Sequence, residues 1–150
     1  MAARQPESAI TLLKADHEKI SELFKTYTST RDRAMKQRIA QQVFLELAIH
    51  AQLEEELFYP AFADAADEAG KILVENSLQD HQMIKDMIEE LRELHDEEFD
   101  AKFYELMEDL QIHVLEEEAE MFPQAEAMLT AEMAELFTGM QAMKKQRMAR

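Results

Sequence analysis

The sequence predicts an all-α protein, an antiparallel up-down-up-down four-helix bundle followed by one additional C-terminal helix. Three observations predict it. Glycine and proline are scarce, two and three in 150 residues, while alanine, leucine, glutamate, methionine and glutamine are prominent, a composition that favours helix throughout. Histidines stand at 17, 50, 81 and 113, at spacings of 33, 31 and 32 residues. Two half-helices of roughly 14 residues and a short turn bring an antiparallel chain back to one level, so this spacing sets all four at mid-height. Finally, the chain repeats itself. His50-Ala51-Gln52-Leu53-Glu54 returns 63 residues later as His113-Val114-Leu115-Glu116-Glu117. Both copies read His-x-x-x-Glu-Glu and reach an aromatic-Pro pair, Tyr59-Pro60 and Phe122-Pro123. Asp16-His17 with Ile20 returns 64 residues later as Asp80-His81 with Ile84.

The expected organisation is one domain over 1–150, with the bundle at about 8–123 and the last helix at about 130–148. The first helix starts near Ser8, where Pro6-Glu7-Ser8 offers a cap, and Ile10, Leu13, His17, Ile20 and Phe24 form its inner seam. Thr28 to Asp32 reads as a turn. The second helix runs from about Arg33 to the early sixties with the seam Val43, Leu47, His50, Glu54, Leu57 and Ala61. Asp64 to Gly70 is a connection in which Gly70 can take the positive φ common at helix ends. The third helix spans about Lys71 to the middle nineties, through Val74, Leu78, His81, Ile84, Ile88 and Leu91, with His95 a solvated surface residue near its end. The fourth spans about Asp100 to Phe122 through Phe103, Leu106, Leu110, His113 and Glu117. Thr130 then caps a final helix bearing Met133, Leu136, Phe137, Met140 and Met143, a face for packing on the bundle or on a second subunit as a homodimer. Lys144, Lys145 and Arg147 complement the C-terminal end of its dipole.

A formal net charge of −16 argues against nucleic acid and anionic membranes as partners. Met1 to Leu13 lacks the basic and apolar regions of a signal peptide, and no apolar run approaches a membrane span. With no cysteine there is no disulfide, thiolate ligand or cysteine nucleophile, and the expected location is the cytoplasm. The eleven methionines read as adaptable core filler.

Residues four apart share one face of a helix, so His50 with Glu54, and His113 with Glu117, each aim an imidazole and a carboxylate at one point. These positions fall on the inner seam, where a lone carboxylate costs several kcal/mol unless a partner such as a metal ion relieves it. His17 and His81 join them from the other two helices. Four imidazoles and two carboxylates are enough for two ions, with His17 and His50 on one, His81 and His113 on the other, and Glu54 and Glu117 able to bridge. This donor set suits iron, manganese or zinc, and the lack of thiolate disfavours structural zinc. Six protein donors leave open positions on two octahedral ions, which means exogenous ligands or chemistry.

In these residues the chain resembles the hemerythrin-like, His-His-Glu cation-binding domains: His17 within Asp-His-Glu, His50 with Glu54, His81, and His113 with Glu117, over roughly Ile10 to Met128. The resemblance implies two non-haem iron ions with oxo or hydroxo and carboxylate bridges, zinc or manganese fitting less well. Oxygen-carrying members place two histidines four apart on the third helix, whereas here Ser77 and Lys85 flank His81. One ion thereby loses a nitrogen donor and gains an exchangeable position, which weakens reversible oxygen carriage and favours reaction with peroxide, oxygen or nitric oxide. The resulting expectation is a di-iron protein acting on a small oxidant, hydrogen peroxide first, in a catalase- or peroxidase-like cycle that meets oxidative stress. Lys85, Tyr27 and Tyr59 are each within reach of the cavity on this reading. The alternative is a non-catalytic module that binds or senses oxygen, nitric oxide or iron, with the C-terminal helix as its output.

Overall fold

The computed structural model describes residues 8–149, so Pro6 and Glu7 of the expected first cap lie outside the described residues. Five helices make up the fold and no described residue lies in a strand. α1 (Ala9–Ser29) begins with a reciprocal capping box, in which Ser8 Oγ accepts from the Thr11 N–H at 3.2 Å and Thr11 Oγ1 accepts from the Ser8 N–H at 3.0 Å. α2 covers 33–65 in three continuous segments, Arg33–Leu53, a π-turn at Glu54–Phe58, and Tyr59–Ala65. The Asp32 carboxylate caps it at the Ala34 and Met35 N–H groups. α3 (Glu68–Leu91) is capped by Asp67. α4 covers 96–128 as Asp96–Glu116, a second π-turn at Glu117–Met121, and Phe122–Met128, and α5 is Met133–Met148.

The π-turns start at equivalent places in the two halves, on Glu54 and Glu117, and the aromatic-Pro pairs explain them. A proline inside a helix has no N–H and its ring collides with the carbonyl four residues back. Widening the turn removes the collision: the Tyr59 N–H reaches the Glu54 carbonyl five residues back, and the Phe122 N–H reaches that of Glu117. Two expectations change as a result. Pro123 does not end the fourth helix, which runs on to Met128. The seam beyond Glu54 passes to Phe58 and Phe62, both fully buried, while Leu57 and Ala61 are only half-buried.

Other boundaries also differ. α3 stops at Leu91 and α4 starts at Asp96 rather than near Asp100, because a tight turn joins them with Asp96 at φ 51°, a left-handed conformation that aspartate tolerates. Gly70 has no positive φ. It sits in the first turn of α3, where a Cβ would stand 2.5 Å from the Ala66 Cβ, so close approach and not backbone conformation calls for glycine. Thr130 is not the cap of α5. The Leu129 carbonyl instead accepts from the Glu132 and Met133 N–H groups and turns the chain. On α3, Ser77 is buried and Leu78 is 41% exposed, so the inner face passes through Ser77 and not Leu78. His95 is exposed, as expected.

Two apolar cores occupy the ends of the bundle. One gathers Phe24, Tyr27, Val43, Phe44, Phe103 and Leu106, and the other Ile10, Leu13, Phe58, Phe62, Met121 and Met140. α5 lays Leu136, Phe137, Met140 and Met143 onto the second core, against α1 and α2, so its apolar face is covered within the chain. The candidate histidines and glutamates form a polar layer between the cores.

Tyr27 belongs to the first core, away from that layer. Its hydroxyl donates to Asp100 Oδ1 at 2.5 Å, and Arg33 grips both Asp100 oxygens at 2.9 and 2.8 Å, tying the end of α1 and the start of α2 to α4. The hydrogen bond from Arg33 holds the Asp100 carboxyl below its ordinary 3.8, against a smaller opposing effect of burial. A depressed folded-state value stabilises above the unfolded value and is lost as pH falls through the folded one. We expect Asp100→Asn to cost on the order of 1 kcal/mol at neutral pH, low for a charged hydrogen bond because the pair is partly open to solvent. Urea titrations should show this difference closing as the pH drops below about 4.

Candidate metal centre

The six predicted residues converge. His17 from α1, His50 and Glu54 from α2, His81 from α3, and His113 and Glu117 from α4 are all buried, at 8% exposure or less. Glu54 Oε1 lies 3.4 Å from His50 Nε2 and 3.1 Å from His81 Nε2. Glu117 Oε1 lies 3.2 Å from His17 Nε2, and its Oε2 lies 3.5 Å from His113 Nε2. Their donor atoms fall into two groups, each within 4.8 Å: His17, His50, Glu54 and Glu117 in one, and Glu54, His81 and His113 in the other. Glu54 is common to both groups, and Glu117 reaches one histidine of each pair.

The outer nitrogens follow a single rule. His17 Nδ1 meets Glu118 at 2.6 Å, His50 Nδ1 meets Asp16 at 2.9 Å, His81 Nδ1 meets Glu55 at 2.8 Å, and His113 Nδ1 meets Asp80 at 3.0 Å. A carboxylate on Nδ1 fixes the tautomer that leaves the Nε2 lone pair for an ion, the arrangement commonly seen behind metal-bound histidines. All four carboxylates are direct chain neighbours of inner residues: Asp16 and Asp80 precede histidines, and Glu55 and Glu118 follow glutamates. The sequence reading gave them no role. Their signal was the repeat itself, because Asp-His and Glu-Glu recur along with the residues between them. Asp16 is held in turn by Lys144 of α5, whereas Asp80 is partly exposed.

The centre suits a cation. Among the described residues, Glu54 Oε2, His113 Nε2 and Glu117 Oε1 are buried and make no hydrogen bond, a costly state for carboxylate oxygens and one that an ion among them would relieve. Burial works against a charged His50, but Glu54 and Asp16 outweigh it and hold its pKa well above the ordinary 6.5. The same competition, with Glu117 and Asp80 opposing burial, raises His113 to about 9. Burial would raise Glu54, and the charge of His50 overcomes it to keep that carboxyl well below its ordinary value. An ion entering the site therefore displaces protons.

The halves differ at the aromatic-Pro pair. Tyr59 places its hydroxyl 2.5 Å from Glu117 Oε2, 3.1 Å from Glu54 Oε1 and 3.2 Å from His81 Nε2. Burial, followed by the charges of Glu54 and Glu117, raises its pKa strongly, so the phenol keeps its proton. Phe122 occupies the equivalent place and stacks on His17 at 5.8 Å between ring centroids. Lys85 donates to Glu55 Oε1 at 3.0 Å, one residue out from His81. Of the three side chains expected near the cavity, Tyr59 is in the centre, Lys85 at its edge and Tyr27 elsewhere.

A cavity of about 610 Å³ opens between α2 and α3 and reaches all four histidines. Its inner walls include Ile20, Phe44, Leu47, Ile84 and Leu110, all buried, and Lys85 and Arg92 stand at its mouth. No helix among the described residues is long and apolar enough to cross a membrane.

Comparison with known proteins agrees with this geometry. The chain is 33% identical over 119 residues to a hemerythrin-like protein of Schizosaccharomyces pombe, an alignment covering 78% of this chain and 59% of that one. The chain thus spans about three fifths of the length of that relative. Its fold is similar to the crystal structure of a hemerythrin HHE cation-binding domain-containing protein from Mycobacterium kansasii, with a TM-score of 0.80 at 23% identity over 93% of this chain and 86% of that one. The family model of the hemerythrin HHE cation-binding domain matches residues 8–125, the span that carries all six inner residues and their four outer carboxylates, and the chain belongs to that family.

Proposed function

We propose that this chain holds two non-haem iron ions, one on His17 and His50 and the other on His81 and His113 with Glu54 and Glu117 shared between them, and that it converts hydrogen peroxide to oxygen and water. One observation carries the reading: six inward donors, three of their atoms without a hydrogen-bond partner, border a cavity that opens to the surface. When bound, iron supplies redox change and Lewis acidity. The residues supply the rest. The four carboxylates on Nδ1 keep the imidazoles oriented, and Glu54 and Glu117 offer oxygens to both positions. The Tyr59 hydroxyl stands inside the site on the side of His81, within hydrogen-bond reach of Glu54 and Glu117. Phe122 packs the corresponding place beside His17 and excludes water there. With Ser77 and Lys85 where a further imidazole would stand, the His81 position keeps more room for an incoming molecule, which favours turnover of peroxide over simple oxygen or nitric oxide binding. The absence of cysteine leaves no thiol for peroxide to attack and fits a reducing, cytoplasmic setting.

The test is oxygen release from hydrogen peroxide by iron-loaded protein, followed with an oxygen electrode beside the same quantity of free iron and beside His81→Ala. We expect the wild type to exceed free iron well beyond error and His81→Ala to fall to its level. Equal rates for wild type and free iron would defeat the proposal.

A further inference from the structure

Hydrogen peroxide occupies the space of roughly two water molecules, about 60 Å³, whereas the cavity leading to the histidines measures about 610 Å³. That volume lies in the range of sites for organic molecules, which are mostly apolar with a few convergent polar groups. The walls have this character. On α2, Phe44, Ala48, Ala51 and Glu55 follow at steps of 4, 3 and 4, so one continuous face of the helix borders the cavity, and two of its four members are alanines that leave the space open. Ile84 and Ile88 oppose them from α3, and Leu110 closes the inner end.

The mouth decides the charge of the occupant. Four carboxylates stand there, Glu55, Glu56, Asp86 and Glu89, against two cations, Lys85, which donates to Glu55 at 3.0 Å, and Arg92. An anionic head group would meet a net negative charge at the mouth, within a chain of net charge −16, and the apolar walls beyond it oppose a charge of either sign. The occupant is therefore uncharged.

We infer that this cavity is an organic-substrate site, taking an uncharged alkyl or aryl hydroperoxide whose O–O group reaches the histidines while its hydrocarbon part lies between α2 and α3. The substrate class rests on the peroxide reading above; the binding site does not. Reduction of such a molecule breaks the O–O bond and, with two electrons and two protons, gives the alcohol and water. Two ferrous ions held by the six inner residues would supply one electron each, and a small one-electron donor such as ascorbate would return them.

The test is calorimetric titration of iron-loaded protein with 2-phenyl-2-propanol, the inert alcohol corresponding to cumene hydroperoxide. Saturable binding is expected, with Ala51→Leu weakening it at least tenfold at unchanged iron content and Ala48→Leu, nearer the mouth, doing so to a smaller degree. In the same variants, the ratio of cumene hydroperoxide turnover to hydrogen peroxide turnover should fall. No saturable binding to the wild type, or binding that neither leucine weakens, would overturn the inference, even in a protein that consumes hydrogen peroxide. Binding that behaves as expected in a protein turning over neither peroxide upholds the site and defeats the peroxide reading instead.

Discussion

Glu54→Ala is expected to remove metal and thermal stability together. Glu54 belongs to both donor groups, is fully buried, and has one oxygen with no partner in the chain. Its loss deprives both ion positions at once, and elemental analysis should find iron falling from two per chain to below one. A ligand present at a thousand times its dissociation constant stabilises by about 4 kcal/mol, which for a domain of this size corresponds to roughly 8 to 16 °C in Tm. Calorimetry should show a loss of this order in protein purified with iron, and a much smaller one once wild type and variant are both stripped by chelator. The remainder reflects the partners that Glu54 keeps without an ion, His50, His81 and Tyr59. A bundle with only adventitious metal behaves differently: Glu54→Ala would leave its Tm unchanged or raised under both conditions. His50→Ala should follow Glu54→Ala in direction, with one ion position emptied directly.

The second large effect concerns a residue that touches no ion. Asp80 holds His113 Nδ1 at 3.0 Å, and its side chain is about one-third exposed, so its replacement should disturb the fold little. Asp80→Asn removes the negative charge that favours the Nδ1–H tautomer and lowers the basicity of Nε2. Changes of this kind cost about 10- to 100-fold in metal affinity. Competition with a chromophoric chelator measures it directly, and an unchanged affinity would show that the outer carboxylates do not tune the site. Asp16→Asn is the matched variant for His50. It should bear a larger stability cost, because Asp16 is buried and also holds Lys144 of α5.

Most of the fold was legible because helix composition and seam periodicity are local properties that tertiary packing here reinforces. The seams of α1 and of α4 up to Glu117 were read correctly residue by residue, and the histidine spacing placed the polar layer between two cores. The errors cluster where a local rule met a second constraint. Pro123 reads as a stop signal, yet a π-turn absorbs it, and the equivalent turn of the first half, Glu54–Phe58, exchanges Leu57 and Ala61 for Phe58 and Phe62 at the core. Gly70 reads as a flexible cap, while its reason is a neighbour 2.5 Å from where a Cβ would be. Leu78 reads as a seam residue, yet it is 41% exposed and Ser77 beside it is buried. The inner site was legible because buried His and Glu on apolar seams need a cause. Its outer carboxylates were not, since each binds a histidine 26 to 101 residues away and only the repeat marks them.

The most direct test of the central claim is elemental analysis of protein purified from iron-supplemented cells, with the absorption spectrum recorded before and after peroxide is added. Two irons per chain, with near-ultraviolet bands that respond to peroxide, are the expected result. Zinc in place of iron, or less than one metal per chain in a protein that stays folded, would contradict the di-iron assignment.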